Sequence, residues 1–160
     1  MEKTRKNNAG FSLIELMIVI AIIAVIVAIA VPSLLKSIQV SQETAGLGTT
    51  RTISTAQLAF KSAYIKQNDD DIAEYGSLTE LADPHGDGSA GFIERHFNGK
   101  TRKGAYEYTV TTEVDDNNKA VYTLVASADD DKMRSFFTDE SGMITWARGE
   151  DPGPDSNAVE

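Results

Sequence analysis

Residues 10–35, GFSLIELMIVIAIIAVIVAIAVPSLL, decide the fold of this chain. Residues 16–31 are sixteen consecutive apolar residues, and Phe11, Leu13 and Ile14 lengthen the run towards the N-terminus. About 20 apolar residues in a row are enough for a helix to cross the hydrocarbon core of a bilayer. Glu15 is the ionisable residue of this stretch. Because a charge inside a membrane span is costly, such a residue usually has a partner and a function.

A polar leader, MEKTRKNNAG, occupies residues 1–10. Lys3, Arg5 and Lys6 make it basic. Positively charged flanks of a membrane span are retained on the cytoplasmic side. We therefore expect a single-pass topology in which the leader is cytoplasmic and the rest of the chain is exported.

A short basic leader, the sequence GFSLIE at residues 10–15 and a long apolar run together resemble the class III signal of type IV pilins and pseudopilins. The resemblance implies that a prepilin peptidase cuts between Gly10 and Phe11 and that Phe11 becomes N-methylated. It also implies that Glu15 serves in filament assembly and that Pro32 bends the long helix. This resemblance is specific, but it covers only about the first 35 residues.

Two other interpretations of the same stretch are open. An ordinary secretory signal has a basic start, an apolar core of about 7–15 residues and a small-x-small cleavage site. Ala28-Ile29-Ala30 would supply that cleavage site, but the apolar run is too long, and Glu15 is unexpected in a signal that is removed. The second interpretation is a plain membrane anchor, which explains the hydrophobicity and nothing else.

Helical patterning continues beyond Pro32, so we expect this proline to kink the helix rather than to end it. Apolar residues then recur at spacings of three and four, which is typical of an amphipathic helix; they are Ile53, Ala56, Phe60, Ala63 and Tyr64. The pattern predicts one helix over residues 12–66. Glycines and threonines over residues 46–55 predict a second soft region, because both residue types weaken helices.

The second half of the chain predicts a small sheet. Residues 106–111, 120–127, 135–138 and 143–147 alternate or are rich in β-branched and aromatic residues, and turn residues separate them. They predict a four-stranded antiparallel meander, preceded by a short helix that Ser77 and Glu80 cap. The short helix and the last hairpin also resemble parts of pilin heads.

The predicted fold class is therefore α+β: a long N-terminal helix, first hydrophobic and then amphipathic, packs on a small antiparallel sheet, as in the lollipop shape of pilins. We expect four segments. Residues 1–10 are the leader peptide, residues 11–35 the transmembrane or filament-core helix, residues 36–148 the amphipathic helix with its sheet, and residues 149–160 a flexible acidic tail.

Composition limits the function. The formal net charge of −9 does not suit binding to nucleic acid, whose affinity comes largely from Lys and Arg. The absence of cysteine excludes disulfides and haem attachment. His85, His96 and the aspartate runs at residues 69–71 and 129–131 are loose candidates for metal ligands, but none has the spacing of a zinc or calcium site. We expect no cofactor, no metal and no enzymatic activity.

The expected function is that of a structural subunit of a type IV pilus-like filament. The resemblance implies self-association into a helical homopolymer, with the prepilin peptidase and the pilus or secretion machinery as further partners. The chain would lie in the bacterial inner membrane and then in an extracellular pilus or a periplasmic pseudopilus. A pseudopilin of a type II secretion system and, in a different class, a membrane-anchored binding protein are the alternatives.

Overall fold

The computed structural model describes residues 11–64, 74–84, 86, 90–115, 117 and 119–159. The chain divides into two compact units, Met1–Gln39 and Val40–Glu160. Helix α1 (Leu13–Tyr64) belongs to both, and a six-stranded antiparallel sheet belongs to the second. The predicted α+β class is confirmed.

In the first unit, none of the described apolar residues of α1 is buried. All described residues from Phe11 to Ile38 are exposed. The helix contains a candidate membrane span by length and composition, with a mean hydropathy of 3.2 in its most apolar window. Pro32 lies inside α1, which continues past it, as the sequence predicts.

In the second unit, one face of α1 packs against the sheet. Ile53, Ala56 and Phe60 are buried on this face, as their spacing predicts. Ala63 is exposed, contrary to expectation, because it lies in the last turn of the helix, beyond the packed part. The end predicted at residue 66 lies outside the described residues.

Helix α1 is continuous through residues 46–55, as the prediction of one long helix requires, and the local softness expected near Gly46 and Gly48 stays a prediction. A Cβ atom placed on Gly46 would lie 2.5–2.8 Å from three ring carbons of Tyr106, whereas a Cβ atom on Gly48 would meet nothing within 4 Å. Gly46 therefore permits close approach between helix and sheet.

Threonines in this part of α1, between residues 44 and 55, turn their hydroxyl groups towards their own helix. Thr44, Thr49, Thr52 and Thr55 each donate a hydrogen bond to the carbonyl oxygen four residues earlier, at 2.8–3.1 Å. Such bonds satisfy the hydroxyl inside the helix and leave the methyl group pointing outward.

The sheet consists of β1 (Arg102–Lys103), β2 (Tyr106–Val114), β3 (Ala120–Ala128), β4 (Arg134–Asp139), β5 (Ile144–Arg148) and β6 (Asn157–Ala158). The strands pair antiparallel in sequence order. Strands β2 to β5 are the predicted meander. Alternate side chains of β2, β3 and β4 face α1 and form the core with it; they include Tyr106, Tyr108, Tyr122, Leu124, Ala126 and Phe136.

Two strands were not predicted. Strand β1 adds two residues at one edge of the sheet, and β6 adds two at the other. Strand β6 lies in the segment expected to be a flexible tail, so the structure corrects that expectation for residues 157–158. Composition alone indicated disorder because Gly, Pro and Asp dominate the segment, whereas its order comes from contacts with distant strands.

The segment that leads into helix α2 (Leu78–Ala82) is attached to α1 through Gln57. The buried Gln57 amide donates to the carbonyl of Gly76 at 2.7 Å and accepts from its N–H at 2.9 Å. The predicted capping box at the start of α2 is confirmed, with reciprocal bonds between Ser77 and Glu80.

Candidate processing and assembly site

A closed pair of hydrogen bonds forms the start of α1. The N–H of Ser12 donates to Oε2 of Glu15 at 2.9 Å, and the N–H of Glu15 donates to Oγ of Ser12 at 3.2 Å. The first helical backbone bond follows, from Leu16 to Ser12 at 3.2 Å. This is the geometry of a capping box, which satisfies two N–H groups that a helix start leaves without partners.

Sequence reasoning missed the part played by Ser12. The signal was present, since Ser12-Leu13-Ile14-Glu15 has the S-x-x-E spacing by which the cap of α2 was identified. Glu15 therefore has a local structural partner in Ser12.

The other residues singled out from the sequence are placed as follows. Gly10 lies outside the described residues. Phe11 directly precedes the capping box and is 79% exposed. Pro32 lies one turn before Lys36 within the uncovered part of α1. The structure thus brings Glu15 to Ser12, whereas the role of Gly10 in processing and the degree of bending at Pro32 stay predictions.

A second ionic group, which the sequence did not predict, lies where α1 enters the second unit. Glu43 is only 3% exposed. Its Oε1 accepts from the backbone N–H of Arg134 at 3.2 Å, and its Oε2 accepts from Nε of Arg134 at 2.8 Å. The guanidinium of Arg148 lies 3.7 Å from Oε1. These donors offset the cost of burying a carboxylate, which would be several kcal/mol without a partner (about 3–5 kcal/mol).

The Glu43 network continues into the aromatic core. The hydroxyl of Tyr106 donates to the carbonyl of Arg134 at 2.8 Å. The Arg134 and Arg148 guanidinium groups lie 5.5 and 5.6 Å from the ring centre of Trp146, within range of a cation–π interaction. The arrangement fixes one orientation of α1 on the sheet. No pattern in a single sequence links residue 43 to residue 134.

Burial perturbs the tyrosines that face α1. Removal from water raises the pKa of Tyr106, Tyr108 and Tyr122, because it disfavours the charged phenolate. On the surface, the ammonium group of Lys103 bonds to Glu94 at 2.7 Å and lowers the pKa of that carboxyl.

The candidate metal ligands do not converge in the part of the chain that the structure describes. Nε2 of His96 lies 2.6 Å from the carbonyl oxygen of Arg102, and Glu94 bonds to Lys103 instead. Asp129 pairs with Arg102. No group of three acidic or histidine side chains there is arranged to hold a metal ion. His85 and the run at residues 69–71 lie outside the described residues.

Comparison with known proteins agrees with the N-terminal geometry. Residues 5–31 match the prokaryotic N-terminal methylation motif. The chain is also 40% identical over 63 residues to the type IV major pilin protein PilA of Myxococcus xanthus (strain DK1622). That similarity covers 39% of this chain and 29% of the relative, so the aligned part spans less than a third of the relative.

No solved structure shows a significant match to the chain. The methylation motif, the capping box and the uncovered apolar helix coincide in the N-terminal part of the chain. Residues 5–31 of this chain carry the prokaryotic N-terminal methylation motif, in agreement with the resemblance of this segment to a class III signal.

Proposed function

We propose that this chain is a structural subunit of a type IV pilus-like filament. The precursor inserts into the inner membrane through α1 with its basic leader in the cytoplasm. A prepilin peptidase cuts after Gly10, Phe11 is N-methylated, and copies of the chain polymerise through their N-terminal helices.

The observation that carries this proposal is the coincidence of two features at one place. The methylation motif spans residues 5–31, and α1 leaves its apolar side chains exposed over the described part of that range. A helix that is apolar on all sides requires lipid or other apolar helices around it. A processed signal followed by such a helix supports the interpretation that the chain is a subunit that passes from the membrane into a fibre.

Intact-mass analysis or N-terminal sequencing of the membrane fraction tests the processing step. The expected product begins at Phe11 and carries one methyl group on its N-terminus. A mature chain that begins at Val31 would show cleavage after Ala30 by a secretory peptidase, and would overturn the proposal. A chain that keeps its leader would favour the plain membrane anchor.

Glu15 is the proposed assembly residue. Cleavage creates an α-amine on Phe11, whose pKa in model compounds is roughly 7.7–8.0, so that it is largely protonated at neutral pH. In a fibre the helices leave lipid for a protein core, where a carboxylate without a partner is costly. Pairing of Glu15 with the amine of its own or a neighbouring subunit removes most of that cost and favours one axial register.

The capping box provides a matched pair of variants for this mechanism. Glu15→Gln retains a side chain that can cap the helix but removes the charge, since Gln also occurs in capping boxes. Ser12→Ala removes the Oγ acceptor, at about 0.5–2 kcal/mol of helix stability, but keeps the carboxylate. If charge pairing drives assembly, Glu15→Gln abolishes most fibres and Ser12→Ala retains most of them.

Fibre yield and cleavage are measured together for both variants, each expressed without wild-type subunit. Glu15→Gln should be inserted and cleaved normally. Wild-type fibre yield and register in Glu15→Gln, or a larger loss in Ser12→Ala than in Glu15→Gln, would show that Glu15 acts through the cap alone.

Pilus and pseudopilus subunits share the N-terminal features, so the choice between them rests on the assembly. Surface fibres that shear from cells favour a pilus. Short periplasmic fibres, together with loss of protein secretion on deletion, favour a type II secretion pseudopilus.

A further inference from the structure

Strands β4 and β5 have a buried outer surface that the helix does not cover. Phe136 and Trp146 are opposite one another on the face towards α1, so their neighbours Phe137, Thr145 and Ala147 point to the other face. These three residues are nevertheless only 8%, 2% and 6% exposed. Phe137 and Ala147 do not belong to the main core cluster. They form a small separate cluster that requires a cover of its own.

Residues 149–159 supply this cover, and we name them the strap. Oγ1 of Thr145, the residue directly opposite Phe137, donates to the carbonyl of Gly153 at 2.6 Å. Pro152 next to it is buried. Oγ of Ser127 on β3 bonds to Oδ1 of Asp151 at 3.2 Å. The strap therefore crosses the outer face above Phe137.

The end of the strap closes the edge of β5. Strand β6 pairs Ala158 with Thr145 and Asn157 with Trp146. The N–H of Val159 donates to the carbonyl of Ile144 at 2.8 Å. Without these bonds the N–H and C=O groups on the outer edge of β5 would have no partners, and such an edge is a template for another strand.

The strap is held more weakly than the sheet that it covers. Strand β6 has two residues, both exposed, whereas β2 and β3 pair over nine residues each. The apolar contacts that hold the strap are those of Pro152, which is buried, and of Val159, which is partly buried against the main core. Segments with few buried apolar contacts open locally at a lower free energy than the core. Opening of the strap is thus separable from unfolding of the sheet.

We propose that the strap is a releasable cover that prevents the outer face and the β5 edge from pairing with a second copy of this chain. Two copies with open straps present the same unpaired edge and the same aromatic side chain, which suits a symmetric antiparallel contact. All of these contacts lie in the second unit, so the proposal does not depend on processing at Gly10.

The first test loosens the strap by one bond. Thr145→Val preserves the shape of the side chain but removes the hydroxyl donor to Gly153. Loss of one such bond should raise hydrogen exchange in the strap roughly 2- to 12-fold in the full chain in detergent micelles. Thr123→Val is the matched control, because Thr123 is exposed on the outer face of β3, away from the strap.

The second test removes the strap. A chain that ends at Gly149 should show increased exchange over Ile144–Arg148, the strand that loses its neighbour β6, and new cross-linked dimers. Adding Phe137→Thr to the truncated chain should reduce these dimers, while β2 and β3 keep their protection in both truncated chains.

Several outcomes would overturn the proposal. Equal exchange in Thr145→Val and Thr123→Val would show that the Gly153 bond does not hold the strap. Loss of protection throughout the sheet after truncation would make the strap a part of the cooperative core rather than a cover. Dimers that persist unchanged with Phe137→Thr would place the new contact elsewhere.

Discussion

Gly46 and Gly48 lie two residues apart in one helix and should respond in opposite ways to the same substitution. Alanine is favoured over glycine inside a helix by about 0.8–1.0 kcal/mol. Gly48→Ala should gain most of this, because nothing lies within 4 Å of the position that its new methyl group would take. We predict that Gly48→Ala stabilises the second unit.

Gly46→Ala obtains the same helical gain but collides with Tyr106. The new methyl group would lie 2.5–2.8 Å from carbons of a ring that is 1% exposed, so that the ring must move. Overpacking of this kind typically costs about 1–3 kcal/mol. Movement of the ring also weakens the bond from its hydroxyl to Arg134, worth about 0.5–1.5 kcal/mol. We therefore expect Gly46→Ala to be less stable than Gly48→Ala by about 2–4 kcal/mol.

Thermal unfolding followed by circular dichroism in detergent micelles measures the difference. For a unit of this size it corresponds to a gap in Tm of about 5–15 °C. The comparison also separates two views of Gly46. If Gly46 were a soft point of the helix, alanine would stabilise it as it does Gly48. A Tm for Gly46→Ala equal to or above that of Gly48→Ala would refute the packing argument.

Three further predictions concern other parts of the molecule. Glu43→Gln should destabilise the second unit by about 1–3 kcal/mol, because it leaves Arg134 without its anionic partner; urea unfolding at matched pH checks this, and an unchanged midpoint contradicts it. Pro32→Ala should straighten α1 and change the rise, twist or yield of fibres, as measured by electron microscopy; fibres identical to wild type would count against the kink. The second unit should lose stability at alkaline pH because it buries three tyrosines, Tyr106, Tyr108 and Tyr122. Their pKa values are raised in the folded state, so the stability that they support is complete below the ordinary tyrosine pKa of 10.0 and is lost as the pH rises above it. Tyrosinate absorbance and loss of the sheet signal should then appear together, and phenolate formation in an intact sheet would argue against this coupling.

The sequence predicts the parts of the fold that depend on local pattern. The apolar run predicts the uncovered half of α1, and the spacing of Ile53, Ala56 and Phe60 predicts the face that meets the sheet. Period-two alternation predicts β2 to β5. The S-x-x-E pattern predicts the cap of α2, and the same pattern is present at Ser12, where the structure shows a cap as well. These features follow from backbone geometry and from the burial of apolar side chains, which neighbouring residues are sufficient to specify.

Long-range contacts account for what the sequence did not predict. Glu43 and Arg134 are 91 residues apart, and neither has a motif that indicates the other. Gly46 and Gly48 differ in the space around them, because the ring of Tyr106 on β2 lies against Gly46 and nothing lies against Gly48. Strand β6 is ordered because β5 offers it an edge. In each case the outcome depends on a tertiary partner that the neighbouring residues in the sequence do not reveal.

The threonines of α1 make its outer side less polar than its sequence implies. On this side, Thr44, Thr52 and Thr55 already donate their hydroxyl protons to carbonyl groups of the same helix. When water is removed from this side, those donors lose no hydrogen bond, and the group that meets the new surroundings is a methyl. The free energy of desolvation for this stretch should be closer to that of valine than to that of serine. A helix can thus use residues that keep it soluble in water and still exchange water for a hydrocarbon or protein neighbour at low cost.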